Sequence, residues 1–502
     1  MPTARLTLDP AFRVGSVDRR LFGSFVEHMG RCVYTGIYEP GHPTADADGF
    51  RTDVLDLVRE LGVTVVRYPG GNFVSNYRWE DGVGPRESRP RRLDLAWRSV
   101  ESNAFGLNEF MAWAAKAGVE PMMAVNLGTR GTAEALDLLE YTNYPSDTTL
   151  SELRRSHGVH KPHDVRLWCL GNELDGPWQM GHKTAHEYGR TAAETARAMK
   201  RFDPSLELVA CGSSNAYIDT FASWEATVLE HTYEFVDYVS LHAYYEPTGT
   251  DTRSFLASAA EMDQMISSIT ATADHIGAKV RSGKKIKLSF DEWNVWYQSR
   301  FGGERSLDWR PAPELIEDRY DVTDAVVVGS LLITLLRHAD RVGAACQAQL
   351  ANVIAPIMTR PDGPAWRQTI FHPFARTARH ARGTVLRVEP DSPLVDTDKY
   401  GEVPALWATA THDEETGEVV LFAVNRHPDQ PLTLTADLRA LGGAARVEEH
   451  LVLHDDDPAA VNTADQPDRV RPRRAADTRA AEGALTVDLP PVSWTMVRLA
   501  TR

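Results

Sequence analysis

The feature that most constrains this chain is a repeat that runs through its first 380 residues. A short apolar or β-branched run gives way to a loop rich in Gly, Asn or charge, and then to apolar residues at helical spacing. Strands are expected at 21–29, 64–71, 121–128, 165–173, 206–214, 238–244, 286–293 and 344–350. Helices are expected at 51–61, 105–118, 131–141, 182–202, 221–231, 252–281, 323–338 and 369–382. Within 182–202, Ala185, Tyr188, Ala192, Ala196, Met199 and Phe202 recur at steps of three and four, which lays one apolar face against a sheet. Eight strand–helix units predict an α/β fold of the (β/α)8 TIM-barrel class. An open doubly wound sheet is the rival, but Gly23-Ser24-Phe25 lies inside the first strand without the G-x-G-x-x-G turn such a sheet carries.

From about residue 384 the period changes to two, in runs at 403–411, 418–426, 431–438, 446–454, 484–489 and 493–500. This predicts a C-terminal antiparallel β-sandwich, jelly-roll-like. The N-terminal strand ARLTLD (4–9) alternates in the same way and is expected to join it. The expected organisation is a barrel over 18–383 and a sandwich made of 1–17 and 384–502. Residues 455–483, rich in Asp, Arg, Ala and Pro, read as a long exposed loop.

Charge excludes several partners. Lys and Arg total 54 against 70 Asp and Glu, a net −16, with no block of five basic residues, so nucleic acid and anionic membrane surfaces are poor partners. The apolar stretch 325–336 is broken by Gly329 and Ser330 and falls short of the ~20 residues of a membrane span. It reads as a buried helix. Cys32, Cys169, Cys211 and Cys346 form no Cys-x-x-Cys pair, and the N-terminal charges leave no apolar export segment, so a cytoplasmic location is expected. No metal is expected either: His157, His160 and His163 are interrupted by Gly158 and Pro162 and read as a surface loop. Cys32, beside Arg31, is expected to be inert.

In a barrel of this class functional groups stand at the C-terminal strand ends. Those ends carry Glu27 and His28, Arg67 followed by Gly70-Gly71-Asn72, Asn126, Asn172-Glu173, Ser213 to Asn215, His242-Ala243-Tyr244, Asp291-Glu292 and Gln349. Buried polar groups need partners, and so many gathered at one end suit a polyhydroxylated ligand. Glu173 and Glu292, from strands four and seven, supply the paired carboxylates of glycoside hydrolysis, whose separation selects retention or inversion. Plainer readings stand beside this one. Glu27 and Arg67 could form a structural ion pair, Asn72 and Asn172 could be turn residues, and His242 could be an orienting core histidine. Trp178, Trp293, Trp296 and Tyr297 suit sugar stacking and ordinary packing equally.

The strings VRYPGGNFVSNYRWEDGVGP (66–85), WCLGNELDGPWQMGHKTAHEYG (168–189), SLHAYY (240–245), FDEWNVWY (290–297) and AQLANVIAPI (348–357) resemble the α-L-arabinofuranosidases of glycoside hydrolase family 51. The ends of strands four and seven also resemble the wider clan A of retaining glycosidases. The resemblance runs through about 1–455 and leaves 455–483 unmatched. It implies Glu173 as general acid/base and Glu292 as nucleophile. It further implies a sugar-binding shell of Glu27, Arg67, Asn72, Asn172, Tyr244 and Gln349, with His242 and Trp97 close by. Double displacement at an arabinofuranosyl oligosaccharide, no cofactor, an intracellular location and a homo-oligomer, often a hexamer, are further implications. A β-xylosidase or endo-β-glucanase on the same fold, or a sugar-binding barrel without turnover, are the alternatives, because two carboxylates do not select the sugar.

Overall fold

The computed structural model describes residues 1–249, 251–442, 445–475 and 478–501. Eight parallel strands close into a barrel: β1 (Gly23–Phe25), β2 (Val65–Tyr68), β3 (Glu120–Ala124), β4 (Leu167–Leu170), β5 (Glu207–Ala210), β6 (Tyr238–Tyr245), β7 (Lys287–Val295) and β8 (Val342–Gln347). Each falls within or across its expected segment. Six are shorter than the apolar runs, the chain leaving the ladder near the polar strand-end residues, whereas β6 and β7 continue through theirs.

The crossover helices are α1 (Thr52–Leu61), α2 (Leu107–Ala117), α3 (Thr132–Asn143), α4 (Ala185–Phe202), α5 (Ser223–Thr232), α6 (Ala259–Lys279), α7 (Val322–Arg337) and α8 (Phe371–His380). On α4 the residues Tyr188, Ala192, Ala196 and Met199 are buried, as their spacing predicts, while Phe202 at the end is exposed. The helix expected over 252–281 is split into Thr252–Leu256 and α6. The helical pattern also continues into an additional helix, Thr149–Ser156, whose Thr148 cap accepts from the Ser151 amide.

The barrel floor is tied by charge. Arg20 donates to Glu120 on β3 at 2.6 Å and to Glu207 on β5 at 2.8 Å, linking strands that would otherwise splay. At this N-terminal face such groups serve stability rather than chemistry.

Two sheets form the sandwich. One pairs Thr3–Thr7, Leu432–Asp437, Ala484–Leu489 and Arg479–Ala481; the other runs from Arg13–Ser16 through Thr384–Leu386, Leu406–Asp413, Glu418–Asn425, Ser493–Ala500 and Arg446–Leu453 to Arg473–Arg474. The N-terminal strand joins as expected, but it runs parallel to Leu432–Asp437, so the sandwich is not wholly antiparallel. Leu6, Leu434, Val487, Leu421 and Val497 fill its interior.

Helix α7 explains the longest apolar stretch. Its residues from Val322 to Leu336, Thr323 excepted, are buried, because it lies between the barrel and the outer face of the larger sheet. Phe422, Trp494 and Met496 from that sheet belong to the barrel's core rather than the sandwich's. Gly329 allows the contact: a Cβ there would stand 2.3 Å from Trp494 Cδ1. No helix among the described residues is long and apolar enough to cross a membrane.

Among its described residues the segment 455–483 is mostly the exposed loop expected, with short strands at Arg473–Arg474 and Arg479–Ala481 and a few docked groups; 476 and 477 lie outside the described residues. Pro458 O accepts from the Val322 amide at the start of α7, Asn462 and Val470 bond each other twice, and Ala460, Asn462 and Val470 are buried. A few apolar and amide groups in a polar segment suffice to dock it.

Candidate active site

The C-terminal strand ends surround a cavity of ≈ 560 Å³, within the range of small-molecule sites. Glu27, Asn72, Trp97, Glu173, Tyr244, Glu292 and Gln349 form part of its wall. Arg67, Asn172 and His242 stand one layer behind, each no more than 2% exposed.

Glu292 and its neighbour Asp291 are both buried although they are consecutive in a strand. Strand β7 carries one extra residue between Ser289 and Glu292 relative to β6, and one between Phe290 and Trp293 relative to β8. A bulge of this kind breaks the alternation of faces, so Glu292 reaches the cavity while Asp291 bonds groups inside the barrel. From the sequence Asp291 is only a strand-end residue. The signal that could have singled it out is a charge placed where alternation demands an apolar side chain.

Glu292 Oε1 accepts from Arg67 Nη1 at 2.7 Å, and Oε2 accepts from the Tyr244 hydroxyl at 2.8 Å. Arg67 also donates through Nη2 to Asn172 Oδ1 at 2.7 Å, and its guanidinium lies 5.1 Å from the centre of the Phe25 ring. Glu27 is not its partner, so the structural ion pair considered from sequence does not form. Burial pushes the Glu292 carboxyl up and the Glu173 charge adds to this, against the pull of His242, Arg67 and the Tyr244 hydroxyl. Two charge-assisted donors thus counter part of the desolvation that pushes the group up.

His242 joins three carboxylates. Its Nδ1 is 2.8 Å from Glu173 Oε1 and 3.6 Å from Glu292 Oε2, and its Nε2 is 2.9 Å from Asp291 Oδ1. Burial would lower the imidazole pKa, but the Glu292 charge and the bonds to Asp291 and Glu173 outweigh it and raise the pKa to about 10. As an imidazolium, His242 donates through both nitrogens. Asp291 is held below the usual carboxylate range, its burial overcome by the Arg67 charge and the His242 bond.

Glu173 takes its second bond from the loop after β4, where the Trp178 indole donates to Oε2 at 2.9 Å. This bond gives Trp178 a role at the site that its exposed aromatic character did not reveal. Trp296 lines the cavity edge-on to Tyr244, at 5.2 Å between ring centres, whereas Trp293 is fully buried in the core.

Glu27 faces the same space from just beyond the end of β1. Its Oε1 accepts from the Phe73 amide and the Trp97 indole, each at 2.9 Å, and Gln349 Nε2 donates to Oε2 at 3.1 Å. Burial, then the Glu292 charge, raise its pKa to about 8. Gly70 and Gly71 make this approach possible. Gly70 has φ +144° and a Cβ there would stand 2.5 Å from Glu27 Cγ; at Gly71 a Cβ would stand 3.1 Å from Glu292 Oε1.

Other strand-end residues serve the scaffold. Asn126 is bonded to Tyr77 O and Thr129, Ser213 N–H donates to Glu225, and His28 is bonded to Glu101 and Tyr68. His163 bonds Asn108, and Cys32 is buried with its thiol pushed up to about 11 by burial, which removes thiolate reactivity.

One oxygen from each of Glu173 and Glu292 and a ring nitrogen of His242 all lie within 4.8 Å of one another, the one such group among the described residues. A cation there would have to displace the His242 proton and sit beside the Arg67 guanidinium. The set is therefore better suited to moving a proton and stabilising positive charge than to holding a metal. Two carboxylates this close, one hydrogen-bonded to an imidazolium and the other to a guanidinium, can flank a single anomeric carbon.

Residues 57–265 match the family described as Alpha-L-arabinofuranosidase 1 domain, and residues 291–493 match Alpha-L-arabinofuranosidase C-terminal domain. An intracellular exo-α-(1→5)-L-arabinofuranosidase of Streptomyces lividans is 62% identical over 100% of this chain and 76% of its own length. An exo-α-(1→6)-L-arabinofuranosidase of Bifidobacterium longum is 54% identical over 99% of this chain and 97% of its own. A solved family 51 α-L-arabinofuranosidase from Bifidobacterium longum superposes with a TM-score of 0.95 at 50% identity, covering 99% of both chains.

Proposed function

The chain belongs to the exo-acting α-L-arabinofuranosidases of glycoside hydrolase family 51, and on that premise we propose that it removes terminal non-reducing α-L-arabinofuranosyl residues by double displacement, with Glu292 as nucleophile and Glu173 as general acid/base. The observation that carries this reading is the approach of the two carboxylates to within 4.8 Å across one cavity. Retaining enzymes place the pair at ~5–5.5 Å, and inverting enzymes leave ~6.5–9.5 Å for a water.

In the first step Glu292 attacks the anomeric carbon while Glu173 gives its proton to the leaving oxygen. Water then enters on the same side, Glu173 takes its proton, and the Glu292 ester is released with net retention. Arg67 and Tyr244 hold Glu292 in its attacking orientation, and the His242 imidazolium adds positive charge beside both carboxylates. Glu27, Asn72, Trp97 and Gln349 would receive the sugar hydroxyls, with Asn172 orienting Arg67 from behind. The proposal stops at the terminal sugar, because relatives at 62% and 54% identity are named for different linkages.

The barrel is taken as 18–383 and the sandwich as 1–17 with 384–502, in keeping with the sheet memberships. A cytoplasmic location is supported by the relative named intracellular and by four buried free cysteines, which suit a reducing compartment. A homo-oligomer, a hexamer by resemblance to the family, is part of the proposal and is tested by light scattering on the eluted protein. Proton NMR of the first-formed arabinose tests the chemistry. Retention of the α anomer supports double displacement, and an initial β product contradicts it.

A further inference from the structure

The cavity has a second end that the catalytic groups do not use. Tyr217, on the loop after β5, is 65% exposed and lines the cavity together with Asn215 and Glu261. Its hydroxyl donates to Glu261 Oε2, on the first turn of α6. Glu261 is held by two more groups: the Tyr400 hydroxyl at 3.0 Å and Lys399 Nζ at 2.7 Å. The Lys399 ammonium also stands 5.0 Å from the Tyr217 ring centre.

Lys399 and Tyr400 do not come from the barrel. They form the turn of a hairpin, Leu394–Thr397 with Gly401–Pro404, in the C-terminal part of the chain. The Lys399 amide donates to Ser254 Oγ at 3.0 Å, and Val395, Val403 and Ala405 pack on Ala257 between the two halves of the split helix. A hairpin beyond the barrel thus braces an aromatic ring on the wall of the cavity.

The side of the cavity identifies what this ring meets. The hydroxyl-binding groups Glu27, Asn72, Trp97 and Gln349 come from the β1, β2 and β8 ends. The Tyr217 loop is tied instead to the Glu173 loop, where the Ser214 amide and hydroxyl donate to Asp175 Oδ2 at 2.9 and 3.1 Å. Glu173 protonates the leaving oxygen, so the group beyond that oxygen extends toward Tyr217.

We propose that Tyr217, braced by Glu261 and Lys399, is a stacking platform for the first sugar on the leaving side of the scissile bond of an arabinofuranosyl oligosaccharide. The inference rests on the arabinofuranosidase reading above. An aromatic ring fixed at its hydroxyl offers an apolar face to sugar C–H groups without losing side-chain freedom on binding. Glu261 and Lys399 are positioning residues that act through it.

The test compares two substrates, arabinotriose and α-L-arabinofuranosyl fluoride, whose leaving group is a single atom. In Tyr217→Ala the ratio of kcat/KM for arabinotriose to that for the fluoride is expected to fall at least about tenfold, mainly through KM. Lys399→Met is expected to lower the ratio about threefold, and Lys399→Arg to restore it. If Tyr217→Ala does not fold, Tyr217→Phe, which removes only the tether, should lower the ratio about threefold. A ratio within twofold of wild type in Tyr217→Ala, or a loss shared equally by both substrates, overturns the inference. Wild-type protein inert to both substrates brings down the arabinofuranosidase reading and this inference with it.

Discussion

The floor and the mouth of the cavity are built on different principles. On the floor, Arg67, Tyr244 and His242 come from strands or strand ends and bond the reactive carboxylates at 2.7–2.8 Å, while Asp291 bonds His242 from behind at 2.9 Å; all but the part-buried Tyr244 are almost entirely buried. At the mouth, Trp178 and Tyr217 come from loops, are 48% and 65% exposed, and touch the site through one bond each. The floor can preorganise charge because both oxygens of Glu292, both nitrogens of His242 and both terminal nitrogens of Arg67 have fixed partners. The mouth can vary which leaving group it accepts at little cost to folding, since few of its groups are desolvated. Chemistry and selection are thus separated along one cavity.

That contrast makes ordered predictions. Glu292→Ala should lower kcat on an aryl α-L-arabinofuranoside by on the order of 10⁴-fold or more, because no other group can form the covalent intermediate; a loss within tenfold would break the floor's assignment. Glu173→Ala should lose about 10²–10⁴-fold on oligosaccharides and much less on activated aryl glycosides, with azide restoring turnover. Equal losses on both substrate types would contradict its role as acid. Arg67→Met removes the buried cation facing two carboxylates and should destabilise the fold by about 3–5 kcal/mol, read from the denaturant midpoint. A change below about 1 kcal/mol would mean that the floor is less tightly coupled than its bonds imply.

The pH dependence of stability sharpens the same point. His242 has a folded pKa of about 10, raised from the ordinary 6.5 of an imidazole. Its stabilising contribution is in full below pH 6.5, declines as pH rises, and is gone above pH 10. The gap in Tm between wild type and His242→Asn should therefore narrow across that interval; a constant gap would show a neutral imidazole. The smallest effect belongs to the mouth. Trp178→Phe keeps the ring but loses the bond to Glu173, and kcat/KM should fall about tenfold or less with Tm almost unchanged.

The same division decided what the sequence made readable. Barrel strands carry continuous apolar runs that end in polar residues, so Glu27, Arg67, Asn172, Glu173, His242 and Gln349 are legible from the sequence alone. The sandwich was readable from its period of two, as in Leu432–Asp437, where buried and half-buried residues alternate. What was hidden depends on contacts between distant segments. The bulge in β7 that turns Asp291 inward is defined only against the registers of β6 and β8, and its one local trace is the charge of Asp291 where alternation demands an apolar side chain. The bracing of Tyr217 by Lys399 joins residues far apart in the chain, and each alone reads as an ordinary surface group. Composition marks 455–483 as exposed, which most of its described residues are, but it averages over the segment and so hides the docking of Pro458, Ala460, Asn462 and Val470.

The most direct test of the account is to trap the covalent intermediate. Wild-type protein treated with a 2-deoxy-2-fluoro arabinofuranosyl donor bearing an activated leaving group, then digested and sequenced by mass spectrometry, should carry one fluorosugar ester, on Glu292. A label on Glu173 or on any other side chain, or turnover of the donor with inversion and no adduct, would contradict the division of labour between the two glutamates.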